Sequence, residues 1–256
     1  MSRSSEGEFV QSLERGLAVL QAFSADNANL TLSEVAKLTG LTRATARRLL
    51  HTFQTLGYMR SDGRRFELTP KVLDLGYAYL SSLHVGDIAQ PYMEALSERL
   101  HESVSATVLD GDQIVYVARV PTKRIMTIAL ALGSRLPAAC TSMGRVLLAG
   151  LPDDALDRFC LTVTLERRTR RTIVDRDRLR AVIGEVRRQG YALLDQELED
   201  GVRSIAAPLT DRGGKVVAAV NVSTHAGRVG LRELRSTFLP DLLKTSAEIS
   251  AQLARR

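Results

Sequence analysis

The chain has 256 residues, 45% of them apolar and 25% charged, with a formal net charge of +6. That is the composition of a folded globular protein with enough apolar side chains for a sizeable core, and it excludes a low-complexity or fibrous chain. Two cysteines, Cys140 and Cys160, are too few for a disulfide framework, and the longest apolar runs, such as Val216 to Val220, are far too short to span a bilayer. The opening MSRSSEGEF holds no apolar stretch after its charge, so no secretory leader is expected and the cytoplasm is the expected compartment. The positive charge hints at a polyanionic partner, and its distribution matters more than its sum.

Residues 9–24 place Val10, Leu13, Leu17 and Leu20 at helical spacing, one apolar face of an amphipathic helix. Thr31 and Glu34 in TLSE make a capping-box pattern that opens a second, short helix, which Gly40 ends. Thr42 caps a third helix, with Leu41 placed as its staple residue. On that helix Ala46, Leu49, Leu50 and Phe53 form the buried stripe, while Ala44, Arg47, Arg48, His51 and Thr55 occupy the opposite arc. Arg43 and Thr45 sit in its first turn. Two helices joined at a glycine turn, the second with a small and basic exposed face, follow the pattern of a helix-turn-helix. Arginine pairs bidentately with guanine in the major groove, and Ala or Thr allows close approach to a base edge.

Next, YMRSDGRRFEL puts Asp62-Gly63 at the tight turn of a hairpin, with φ above zero expected at both residues. Arg60 flanks the turn on one strand, Arg64 and Arg65 on the other. A basic hairpin behind a recognition helix is a wing that would lie on the phosphate backbone. Between residues 41 and 66, six arginines therefore face a single acid, Asp62, because one cluster would read the groove and the other hold the backbone beside it. The DNA-facing set is Thr42, Arg43, Ala44, Thr45, Arg47, Arg48 and His51 on the helix, with Arg60, Arg64 and Arg65 on the wing. The expected partner is a double-stranded operator.

Pro70 opens the helix KVLDLGYAYLSSL, with Leu73, Tyr77 and Leu80 on one face and Val72, Leu75 and Leu83 beside them. A helix so apolar all round is expected to pack on a second copy of the chain, as a reader of two half-sites requires, or else in the core of the following domain. From about residue 87 a helix over 88–101 leads into the strand-like runs SVSATVLD, QIVYVARV and IMTIALAL, with Gly111-Asp112 as a hairpin turn. CTSMGRVLLAGLP reads as a short helix stopped by Gly150 and Pro152. Helices over 153–160 and 177–189 follow, then the strands YALLDQEL, VRSIAAPLTD and KVVAAVNVST, and a last helix over 231–254. The expected organisation is α+β: a winged helix-turn-helix over 1–70, a linker and dimerisation helix over 71–86, and a domain with a mixed or antiparallel sheet over 87–256.

Catalytic frames are missing from this second part. Ser142 lacks the Gly-x-Ser-x-Gly elbow, and the histidines at 51, 84, 101 and 225 share no metal-ligand spacing with one another or with a cysteine. Gly213-Gly214 lacks a phosphate-loop frame, so no catalytic residue, metal or cofactor is expected. The run LERRTRRTIVDRDRLR, residues 165–180, holds seven arginines but no small-residue face, and reads as a solvated connector or subunit surface.

SLERGLAVLQAF, LTLSEVAKLTGLTRATARRLLHTFQTLGY, RRFELTPKVLDLG, LPAACTSMGRVLLAGLP, RRQGYALLDQELEDGVRSIAAPL and AAVNVS resemble the IclR family of bacterial transcriptional regulators along nearly the whole chain. The resemblance implies a GAF-like C-terminal domain that binds a small, often acidic, metabolite, no enzymatic activity, and homodimers that often pair into tetramers. It implies an effector pocket lined by Ser142, Met143 and Gly144 at a helix start, then Asp195 and Glu197, Arg203 and Ser204, and Asn221 and Ser223 on the last strand. A helix N-terminus with hydroxyls and an arginine suits a carboxylate ligand, and Asp195 and Glu197 suit a hydroxyl or gate the pocket. Family members often carry Gly-Ala where this chain has Ser142-Met143, and a histidine near Ala139, so the bulkier Met143 narrows the pocket. ARRLL and SMGRVLLA look most like the branch regulating protocatechuate and β-ketoadipate catabolism. Two other readings are a small-molecule enzyme with a basic N-terminal module and a constitutive DNA-binding protein whose C-terminal domain only oligomerises.

Overall fold

The computed structural model describes residues 9–24, 26–122 and 130–255, for 80–83 the backbone alone. Contacts divide the chain into two compact units, one ending at Ser82 and the other beginning at Leu83.

In the first unit α1 (Gln11–Gln21), α2 (Leu32–Thr39) and α3 (Arg43–Thr55) close around Val19, Phe23, Leu30, Val35, Leu50 and Met59. The capping box forms: Thr31 Oγ1 accepts from the Glu34 N–H at 3.4 Å, and Glu34 Oε2 accepts from the Thr31 N–H at 2.7 Å. Gly40 ends α2 in the left-handed conformation, and Thr42 Oγ1 accepts from the Thr45 N–H at 3.2 Å to open α3. Ala46 and Leu50 of the expected stripe are buried, with Leu49 and Phe53 packed against the same cluster.

The face of α1 differs from the expected one. Val10, Leu13 and Leu17 are exposed, and the helix enters the core through Gly16 and Val19 instead. Gly16 lies against the Phe53 ring of α3, so packing against α3 decides which stripe of α1 is buried.

A small antiparallel sheet of β1 (Leu30–Thr31), β2 (Met59–Ser61) and β3 (Arg65–Leu68) has the order β1-β3-β2. Its hairpin turn is a correction to the expected pair of positive φ values, because only Gly63 has one. Ser61 and Phe66 are the last paired residues, so 62–65 form a four-residue loop. Asp62 Oδ1 accepts from the Arg64 and Arg65 N–H groups at 2.8 and 2.7 Å, and this side-chain turn substitutes for the tighter backbone one. A 3-10 turn over Pro70–Val72 then leads into α4 (Leu73–Leu83), where Leu73, Leu75, Tyr77 and Tyr79 are exposed.

The second unit opens with α5 (Val85–Leu100) and the hairpin β4 (Ser103–Asp110) and β5 (Gln113–Val120), followed by β6 (Arg135–Pro137). Then come α6 (Ser142–Ala149), α7 (Asp153–Thr162), α8 (Arg176–Gln189) and the strands β7 (Ala192–Asp195), β8 (Val202–Thr210) and β9 (Val216–His225). The chain ends in α9 (Leu231–Glu233), a π-helical turn over Leu234–Phe238, and α10 (Leu239–Leu253). All pairings in the sheet are antiparallel, in the order β6-β5-β4-β9-β8-β7, which settles the sheet type left open by the sequence.

Most of the run IMTIALAL lies outside the described residues, and its last three residues, 130–132, form no strand. Among the described residues the strand beside β5 at this edge of the sheet is Arg135–Pro137, which follows a turn at Gly133 (φ 81°) whose N–H reaches the Tyr116 carbonyl at 2.8 Å.

All eight residues of α6 are buried between the sheet and α8. The close approach depends on Gly144, where a Cβ would stand 2.1 Å from the Ala138 carbonyl oxygen. Gly144→Ala is therefore expected to destabilise this unit by about 3 kcal/mol, since backbone offers no side chain that can swing away. An unchanged melting temperature and soluble yield would disprove this account of the α6 packing.

Candidate functional site

The α3 face and the hairpin form one basic surface. Ala44, Arg47, Arg48 and His51 are exposed along α3, with Arg43 in its first turn. Among the described residues none of Arg43, Arg47, Arg48 and Arg64 has an ion-pair partner. All six arginines were expected to face DNA, and two of them are engaged within the unit. Arg60 pairs with Glu67 across the hairpin, and Arg65 Nη1 donates to the Asn29 carbonyl at 3.0 Å. Thr42 and Thr45 share a hydrogen bond at 2.9 Å, so their hydroxyls already serve the helix start. Hydrogen bonds from the Arg65 and Arg64 N–H groups hold the Asp62 carboxyl below its ordinary value, so this acid stays ionised and turned to its own loop.

The second site surrounds the N-terminus of α6. Ser142 and Met143 meet Glu197, Ser204, Asn221 and Ser223 around a small, partly open cavity of about 40 Å³, so six of the nine expected pocket residues converge. Gly144, Asp195 and Arg203 do not line it. Gly144 faces Ala138. Asp195 accepts from Arg203 Nε at 2.5 Å and also pairs with Arg171, while Arg203 Nη1 donates to the carbonyls of Ala226 and Val229 at 2.9 and 2.8 Å. Burial raises the Asp195 carboxyl, but the Arg203 and Gln196 hydrogen bonds and the two arginine charges outweigh it and hold the group below its ordinary value.

Two buried acceptors in this cavity have no partner among the described residues: Ser142 Oγ and Asn221 Oδ1. Their residues are 1% and 3% exposed. A buried polar atom left unpaired costs on the order of 1–3 kcal/mol, a cost removed when a ligand or ordered water fills the bond. Thr141 Oγ1 caps Gly144 N–H at 3.1 Å, and the Ser142 and Met143 N–H groups, in the first turn, have no intrahelical acceptor. Thr107 Oγ1 donates to Met143 Sδ at 3.4 Å, which holds the methionine in the cavity. Burial pushes the Tyr116 hydroxyl up to about 12, so it stays a neutral donor on the wall. Burial likewise raises the Cys140 thiol.

Sequence reasoning missed Arg145, which is buried in α6 beside the cavity. Its Nη1 donates to Glu197 Oε1 at 2.8 Å in a bidentate pair, and its Nε donates to the Ala139 carbonyl at 3.1 Å. The signal was present, since an arginine inside the apolar SMGRVLLA is bound to need a carboxylate. Among the described residues no cluster suited to a metal ion occurs, and no helix is long and apolar enough to cross a membrane.

Residues 12–63 match the family model described as the IclR helix-turn-helix domain, and residues 77–251 match the one described as Bacterial transcriptional regulator IclR C-terminal. The chain belongs to the IclR family. It is a bacterial-type transcriptional regulator, with its helix-turn-helix in the first unit. The Pca regulon regulatory protein of Pseudomonas putida is 49% identical over 96% of this chain and 85% of its own length. A transcriptional regulator from Rhodococcus sp. RHA1 has a solved structure at a TM-score of 0.87 and 54% identity, covering 96% of this chain and 98% of that one. An IclR homolog from Microbacterium hydrocarbonoxydans, solved in complex with 4-hydroxybenzoate, shares the fold at a TM-score of 0.84 and 22% identity, over 94% of this chain and 98% of its own.

In this regulator Glu197 is the sole carboxylate bound to Arg145 among the described residues, and only 3% of the arginine side chain and 12% of the glutamate are exposed. Glu197→Gln is expected to cost about 3–5 kcal/mol in urea denaturation, because it strands a buried charge. Replacing both partners, with Arg145→Met and Glu197→Leu, should recover most of that loss. Equal destabilisation by the single and double variants would refute the pairing argument.

Proposed function

We propose that this regulator binds an operator as a homodimer and releases or holds it according to a small aromatic or dicarboxylic acid of the protocatechuate and β-ketoadipate route. The relative named for the Pca regulon supports the pathway. The observation that carries the ligand reading is the pair of unpartnered buried acceptors, Ser142 Oγ and Asn221 Oδ1, in a cavity at a helix N-terminus. Hydroxyls on the ligand would satisfy the Asn221 carbonyl, and the free N–H groups of α6 would receive a carboxylate. Because 40 Å³ holds little more than water, a ring can enter only if Met143 and its neighbours move, which couples occupancy to a change of packing around α6.

On the DNA side, Arg43, Arg47, Arg48 and His51 would enter the major groove, with Ala44 and Thr45 admitting close approach to the bases and Thr42 at the helix start on phosphate. Arg64 would hold the backbone, with Arg60 and Arg65 as supports of the wing rather than free contacts. Dimers would form through the exposed apolar residues of α1 and α4, with Val10, Leu13 and Leu17 on one and Leu73, Leu75 and Tyr77 on the other. Such a protein works where the operator is, in the cytoplasm.

Fluorescence anisotropy on the DNA upstream of its own gene, with and without protocatechuate or β-ketoadipate, tests the reading directly. A ligand-dependent change of affinity is expected, and tight binding that neither compound alters would remove the pathway assignment. Arg47→Ala is expected to weaken operator binding by about 1–3 kcal/mol while sparing random DNA, and Arg64→Ala to weaken both and flatten the salt slope by about 1. Equal loss on both DNAs for Arg47→Ala would sink its base contact. Asn221→Ala should raise the effector Kd roughly tenfold with ligand-free operator affinity unchanged; no change in Kd would place the ligand elsewhere.

A further inference from the structure

The arginine-rich run over 165–180 is neither a loose connector nor a flat patch. Thr169 Oγ1 donates to the Gln196 carbonyl and Thr172 Oγ1 to the Glu197 carbonyl, both at 2.7 Å, which pins the loop to the end of β7. Arg171 pairs with Asp195 on the same strand end. Between this loop, the start of α8 and the π-helical turn lies an open cleft of about 610 Å³, a volume typical of small-molecule sites and too small for a duplex. Arg167, Arg170, Arg178 and Arg235 all line it.

The cleft gathers arginines of this unit that have no carboxylate partner. Arg99, Arg135, Arg158, Arg180 and Arg187 each have a carboxylate partner. Among the described residues Arg167, Arg170, Arg178 and Arg235 have none. The acids at the cleft cannot serve them. Asp175 caps α8 by accepting from the Arg178 N–H at 2.7 Å, Asp195 holds Arg203 and Arg171, and Glu197 holds Arg145. Four guanidinium groups without an ion-pair partner therefore line one concave space, two of them, Arg167 and Arg170, on the loop held by the threonine bonds. The π-helical turn over Leu234–Phe238 brings Arg235 to the opposite wall, and such turns are frequent at functional sites.

We propose that this cleft is a second ligand site, for a small polyanion carrying two or more carboxylate or phosphate groups. Each oxyanion would be gripped bidentately by guanidinium forks, and the fixed loop would spare most of the ordering cost. The site is distinct from the small cavity, although Glu197 borders both, so an occupant would sit against the residue that holds Arg145.

The test is isothermal titration calorimetry on the full chain with citrate and with inorganic pyrophosphate at 0.15 M salt. Saturable binding of at least one probe is expected, and the tighter of the two names the oxyanion. The double variant Arg170→Ala/Arg178→Ala should raise that Kd at least about tenfold. Asn221→Ala in the cavity and Arg47→Ala/Arg64→Ala on the basic DNA-binding unit should leave it unchanged. No saturable heat with either probe overturns the proposal. So does binding that survives in the cleft variant, or that is lost in the cavity or DNA-surface variants.

Discussion

The bidentate contact between Arg145 and Glu197 is the constraint on which the effector unit turns. It joins the buried helix α6 to the connection between β7 and β8, with both side chains largely buried. An ion pair in such a setting is a weak source of net stability but a strong source of specificity, because neither partner tolerates the loss of the other. It also fixes the wall of the cavity. Glu197 cannot turn toward a ligand without releasing Arg145, so the carboxylate that looks available in the sequence is already committed.

The same logic of commitment runs through the other charged groups. Asp195 and Arg203, both plausible ligand contacts by position, satisfy each other and the carbonyls of Ala226 and Val229. In the first unit Arg60 and Arg65 are occupied, by Glu67 and by the Asn29 carbonyl, and they stiffen the hairpin. What remains unpaired is informative for that reason. Arg43, Arg47, Arg48 and Arg64 stay free on the DNA-binding unit, and Ser142 Oγ and Asn221 Oδ1 stay unmatched inside the effector unit.

Packing density sets how these sites can respond. α6 has no exposed residue before Gly150, and Gly144 is pressed onto Ala138 without room for a methyl group. A helix so enclosed cannot shift gradually, because close-packed interiors give way between discrete arrangements. Met143 is the most adaptable member of the cavity wall, with three rotatable bonds and a hydroxyl contact from Thr107 that a rotamer change would break.

The sequence by itself determined the local structure and the class of protein. The capping box at Thr31 and Glu34, the Thr42 cap, the Ala46–Leu50 stripe and the strands of the second unit follow from interactions within a few residues, so they are legible without coordinates. Six of the nine residues that the family resemblance named lie around one cavity. Tertiary structure alone decided which apolar stripe of α1 is buried, since Gly16 meeting Phe53 is a contact between distant segments. It alone placed the edge strand at 135–137, where the Gly133 N–H donates to the Tyr116 carbonyl. It alone showed which charges are free, because Arg145 and Glu197 lie 52 residues apart. Periodicity records where a side chain points along its own element, whereas pairing depends on which element the fold brings opposite it.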